Sequence, residues 1–143
     1  MTTARGLPSV RGEARALLAV AAGGALGATA RYAVDVVASE WGLAAPWATL
    51  TVNLVGCALM GLLVSAVLAH PARHPLWRPF LGIGVLGGFT TFSAFAADAF
   101  LLGDEGAWAA SAAYVIATLV GGLAAMWLGY TIGHALRRRG RTR

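Results

Sequence analysis

The chain has 143 residues, 58% of them hydrophobic and only 12% charged, with a net charge of +5. A soluble domain of this size carries about twice that charged fraction, which argues against a water-soluble enzyme and for a membrane protein. All eleven basic residues are arginines, ten of them flanking apolar runs, where they fix orientation and touch anionic lipid rather than nucleic acid.

Four low-charge runs reach the roughly 20 residues that a spanning helix requires. They predict an all-α integral membrane protein: a basic tail at 1–15, one four-helix domain over 16–136, and a second basic tail at 137–143. The first run, Ala16 to Val37, follows basic residues and contains Ala28-Thr29-Ala30, the pattern of a signal peptide with a small-residue cleavage site. It continues past that site, however, and its polar residues share one helix face. Gly23, Gly27, Arg31 and Asp35 recur every four residues. Gly23 and Gly27 permit close helix approach, and Arg31 and Asp35 can pair, as an intramembrane ion must unless it snorkels.

The second run, Pro46 to Ala69, contains no charge. Thr49, Asn53, Gly56 and Met60 align along it, and Asn53 is the only amide side chain in the four spans. Two readings stand side by side: an interhelical hydrogen bond that helps assembly, or a donor facing a permeating anion. Cys57 also lies in this run and, being the only cysteine, builds no internal disulfide.

The third run, Pro79 to Leu102, carries Gly84 to Phe95, reading GVLGGFTTFSAF. Glycines and hydroxyls at membrane depth are costly unless they line a cavity or meet protein. Glycine next to β-branched residues makes a poor continuous helix, so a break is predicted near Gly87–Thr91. Such a break exposes carbonyls that suit a cation and N–H groups that suit an anion. Phe92 and Phe95, three apart, read either as aromatic packing or as ring edges that approach a small anion.

The fourth run, Ala107 to Gly133, shows a stripe of Ser111, Tyr114, Thr118 and Gly122. No carboxylate stands at the middle of any span, and Asp98 is placed toward the end of its own. A proton-coupled pump ordinarily places an ionisable residue at mid-membrane, so passive conduction is favoured. Neither a nucleophile–base pair nor a metal-ligand spacing occurs, and His70, His74 and His134 fall in loop or terminal positions. The chain does not read as an enzyme.

These residues carry a family resemblance. Gly23-Gly24-x-x-Gly27-x-x-x-Arg31-Tyr32, Thr49-x-x-x-Asn53-x-x-Gly56 and Gly84-x-x-Gly87-Gly88-Phe89-Thr90-Thr91-Phe92-Ser93-x-Phe95 together resemble the Fluc fluoride channels, also called CrcB proteins. The likeness covers all four spans, roughly Leu17 to Gly133. It implies passive fluoride export through an antiparallel dimer with two pores and a structural sodium ion at its centre. On this sequence it implies that Phe92 and Phe95 are pore phenylalanines, Asn53 the pore amide and Ser93 a hydroxyl of the polar track. Gly87 and Thr90 would hold sodium through their carbonyls, and Arg31 would lie at the aqueous vestibule. The chain departs from the family pattern at Ala94, Asp98 and Ala48, where threonine, glutamate and glycine are usual. A small dual-topology proton-coupled exporter is the alternative of similar size, but it needs a first-span glutamate that is missing here.

With four spans, both tails and the loop from His70 to Arg78 share one side of the membrane and collect ten arginines. The opposite loops hold Glu40, Asp104 and Glu105. The positive-inside rule predicts cytoplasmic termini in a bacterial plasma membrane. So fixed an orientation predicts an antiparallel partner that is a similar, oppositely oriented subunit; the other expectation is a homodimer whose packing overrides the charge bias.

Overall fold

The computed structural model describes residues 10–68 and 75–140. Arg5, His70, Arg73, His74, Arg141 and Arg143 lie outside these described residues. Among the described residues the secondary structure is entirely helical: α1 (Val10–Glu40), α2 (Ala45–Leu68), α3, α4 (Phe92–Asp104) and α5 (Trp108–Gly140). Helix α3 comprises Arg78–Leu86, wound with the wide π pitch, and a final α-helical turn, Gly87–Phe89. Together α3 and α4 make the third span, so four segments are long and apolar enough to cross a membrane. Large apolar side chains such as Leu18, Ile116 and Leu123 face outward, as a lipid-facing surface requires. This is a multi-pass membrane protein.

Helices α1 and α5 run beyond the apolar runs, into segments expected to be tails. Hydropathy stops at the first charges, whereas arginine is a good helix former and lets winding continue above the bilayer. Helices α1 and α4 end in the same turn. Gly42 (φ 69°) and Gly106 (φ 80°) adopt the left-handed conformation. The following N–H groups of Leu43 and Ala107 reach back to the Ala38 and Leu102 carbonyls, each at 2.9 Å, closing each helix with a glycine cap.

The packing divides the third span between two partners. Its first half, α3, lies along α1, whereas α4 lies along α5 and α2; the broadest interface joins α2 to α5. Missing side chains make both approaches possible. A Cβ on Gly27 would strike the Val85 carbonyl, one on Gly88 the Gly24 carbonyl, and one on Gly129 the Ala58 carbonyl. The glycine pairs are therefore backbone contacts between helices.

Candidate functional site

The third span breaks at Thr90 (φ −77°, ψ 157°) and Thr91 (φ −143°, ψ 123°), both extended. The break thus falls at the far end of the predicted stretch, and Gly87 and Gly88 remain helical. Asn53 of α2 meets it. The Thr91 N–H donates to Asn53 Oδ1 at 2.9 Å, and Asn53 Nδ2 donates to the Thr91 carbonyl at 3.0 Å. An extended residue turns its N–H and C=O to one side, so a single amide can satisfy both, as a neighbouring strand would. In a continuous helix the Thr91 N–H would close on the Gly87 carbonyl and the Ala94 N–H on that of Thr90. Here the Ala94 N–H instead donates to Thr91 Oγ1 at 3.2 Å, which caps α4. The two diverted donors are those that would have covered the Gly87 and Thr90 carbonyls. The Thr90 hydroxyl donates to the Leu86 carbonyl at 2.9 Å, and its methyl lies where Gly56 has no side chain.

Two cavities meet at the break, and Thr91 lines both. A groove of about 270 Å³ is bounded by Asn53, Cys57, Phe92, Phe95 and Thr118, and none of its lining side chains carries a full charge. The Phe92 and Phe95 rings lie 5.7 Å apart at 55°, and Phe95 lies 5.6 Å from Tyr114. These tilted arrangements direct ring edges, where aromatic groups are electropositive, toward neighbours. A cleft of about 330 Å³ is lined by Arg31, Asp35, Thr49, Thr91, Ala94 and Asp98 among others. Arg31 approaches Asp35 at 3.7 Å, while its buried Nε has no hydrogen-bond partner. Asp98 is buried and accepts a hydrogen bond from the Tyr114 hydroxyl at 3.3 Å.

Comparison with known proteins gives this arrangement a family. A family model described as "CrcB-like protein, Camphor Resistance (CrcB)" matches residues 18–130. The chain belongs to the CrcB-like family. A Paracoccus denitrificans protein named fluoride-specific ion channel FluC is 49% identical over 119 residues, covering 83% of this chain and 94% of its own length. Proteins with the same name from Rhodospirillum centenum (54% over 113 residues; 75% and 88% covered) and Agrobacterium fabrum (47% over 118 residues; 82% and 94% covered) are similar too. The family is one of channels, not enzymes.

On this CrcB-like chain, the structure brings Asn53, Phe92 and Phe95 onto one groove and places Arg31 on the adjoining cleft. Ser93 sits beside the break, its hydroxyl 3.2 Å from that of Thr91, but it does not line the groove. Phe92 is 80% exposed, so the protomer leaves one side of the groove open. Sequence reasoning passed over Thr91, whose place as the residue before a helix and three before Ala94 marks it as a cap. Asp98 lies toward the end of the third span, as expected; what the sequence did not disclose is its partner sixteen residues onward, for which the polar stripe containing Tyr114 was the one available signal.

Proposed function

We propose that this protein is a passive, fluoride-selective channel that exports fluoride from the cytoplasm of a bacterium. The observation that carries this reading is the uncharged groove beside the Thr90–Thr91 break. Fluoride is small and strongly hydrated, so any path must replace its water with donors without trapping the ion on a fixed charge. Asn53 uses one Nδ2 hydrogen on Thr91 and keeps the other, and the Phe92 and Phe95 ring edges complete a set of weak donors. The Thr118 hydroxyl donates to the Tyr114 carbonyl at 2.9 Å and turns only its oxygen to the groove. The buried Asp98–Tyr114 pair is the one feature that favours proton coupling instead. Purified protein in liposomes, with any partner subunit supplied, is expected to release fluoride down its gradient and to retain chloride. Equal release of both ions would refute selectivity, and strict dependence on a proton gradient would refute the channel reading.

The same reading includes an antiparallel dimer and a central sodium ion. The open flank of Phe92 calls for a second subunit, and two carbonyls per protomer make only part of a cation's oxygen shell. Gly87 and Thr90 suit sodium because their released carbonyls are hard, neutral oxygen donors. The second subunit is a similar, oppositely oriented chain rather than a second copy. Arg11, Arg15, Arg78 and Arg137–Arg139 gather at the ends that share one side of the bundle, which fixes both termini in the cytoplasm. Cysteine labelling of a C-terminal tag in intact cells should then occur only after permeabilisation. Equal labelling from both sides would restore the homodimer.

A further inference from the structure

Asn53 lies on the groove, yet two of its three strong hydrogen-bonding functions point away from any permeating ion and into the third span. The partner in both is one residue, Thr91, at 2.9 and 3.0 Å. We infer that Asn53 is a latch: by pairing with the Thr91 backbone it holds the third span open, and so positions the Gly87 and Thr90 carbonyls. This rests on the proposed cation role of those carbonyls and adds to it a residue from another helix, on the anion side of the site.

The local sequence does not hold the break by itself. Helical winding runs through Gly87–Phe89 and resumes at Phe92, so only two residues separate two helices in one span. No proline enforces the gap. In lipid, a polar backbone group without a partner is strongly unfavourable. If the Asn53 amide were removed, the Thr91 N–H would lose its partner, while the Thr91 C=O would keep only the first bond of α4, which a capping residue's carbonyl accepts. The nearest replacement for the N–H is the helical one, the Gly87 carbonyl. Winding through Thr91 would therefore cover the Gly87 carbonyl and turn Phe92 and Phe95 relative to α3. Gly56, one turn along α2, receives the Thr90 methyl, so the same helix face seats both residues of the break. Asn53 thereby couples the two ions. Its remaining Nδ2 hydrogen serves the groove, while its other functions keep the cation ligands exposed.

The test uses the full chain in lipid with its partner supplied. The ¹³Cα shifts of Thr90 and Thr91, extended in the parent, should become helical in Asn53→Leu. The sodium concentration for half-maximal fluoride efflux should rise by about tenfold or more, the worth of one well-oriented carbonyl on a cation. Phe95→Ala should lower efflux without moving that midpoint, since the Phe95 side chain makes no hydrogen bond to the break. Adding Phe92→Pro to Asn53→Leu should restore extended shifts, because proline at the first helical position disfavours helix in the residue before it. Extended shifts and an unchanged sodium midpoint in Asn53→Leu would overturn the latch. If Asn53→Leu fails to accumulate, recovery of the double variant with extended shifts supports the latch, and failure to recover overturns it. Absence of any sodium dependence in the parent chain would remove the cation reading alone, and the shifts would still decide the latch.

Discussion

Gly56 and Thr90 offer a sharp test of how closely α2 seats the break. A Cβ added at Gly56 would overlap the Thr90 methyl and come within 3.5 Å of the Phe89 ring. The threonine cannot turn aside freely, because its hydroxyl is bonded to the Leu86 carbonyl at 2.9 Å. Rotation sacrifices that bond, at about 1 kcal/mol; staying in place overpacks the contact, at about 1–3 kcal/mol. Rotation, the cheaper response, caps the cost, and alanine recovers up to about 1 kcal/mol of helix propensity, so Gly56→Ala should destabilise by at most about 1 kcal/mol. Thr90→Ser keeps the hydroxyl bond and the backbone carbonyl and removes only the methyl, at about 0.8 kcal/mol. In the double variant the new methyl occupies the space just vacated. The two changes should then compensate by about 1–2 kcal/mol relative to their sum. Thermal unfolding in detergent measures the cycle, and fluoride efflux should fall in Gly56→Ala and recover with Thr90→Ser. A double variant whose loss equals the sum of the singles would refute the contact.

Phe92→Ala and Phe95→Ala should each slow fluoride efflux far more than Phe100→Ala, which removes an outward-facing ring on the same helix; equal effects in liposomes would displace the groove from the ion path. Thr91→Val removes the oxygen that caps α4 and should lower stability by about 1 kcal/mol, whereas Thr91→Ser should sit near the parent in a thermal melt. Gly27→Ala, which drives a methyl into the Val85 carbonyl, should destabilise by about 1–3 kcal/mol, while Gly24→Ala meets nothing within 4 Å of the new carbon and should be tolerated; similar melts for the two would remove the α1–α3 backbone contact.

The number and order of spans were legible because lipid admits few architectures, and four low-charge stretches near 20 residues leave little choice. The detail of the third span was not. Local propensity marked Gly87–Thr91 as a whole, yet Gly87 and Gly88 stay helical, and the absent Cβ of Gly88 serves contact with α1. The break falls within the predicted stretch but at its end, on Thr90 and Thr91, where a side chain 38 residues earlier in the chain takes the place of the helical partner of the Thr91 N–H. A feature decided by tertiary hydrogen bonds carries only a weak trace in the nearby residues.

Asn53 shows why the site was half legible. Its two readings, interhelical bond or ion donor, exclude each other only if an amide does one thing, and the structure gives it two bonds to Thr91 with a hydrogen to spare. The departures from the family pattern become interpretable on the same geometry. Ala94 lines the cleft that holds Arg31, not the groove between Asn53 and the phenylalanines. Losing a hydroxyl there therefore thins the polar wall of the approach while leaving the groove donors intact. Asp98 lines that cleft too, and although one methylene shorter than glutamate it still reaches the Tyr114 hydroxyl. Both substitutions alter how an anion is received before the break, so they should change the concentration dependence of fluoride efflux more than its selectivity over chloride. Restoring Ala94→Thr should lower the half-saturating fluoride concentration with the fluoride-to-chloride ratio unchanged, and a shifted ratio would place Ala94 on the selective path itself.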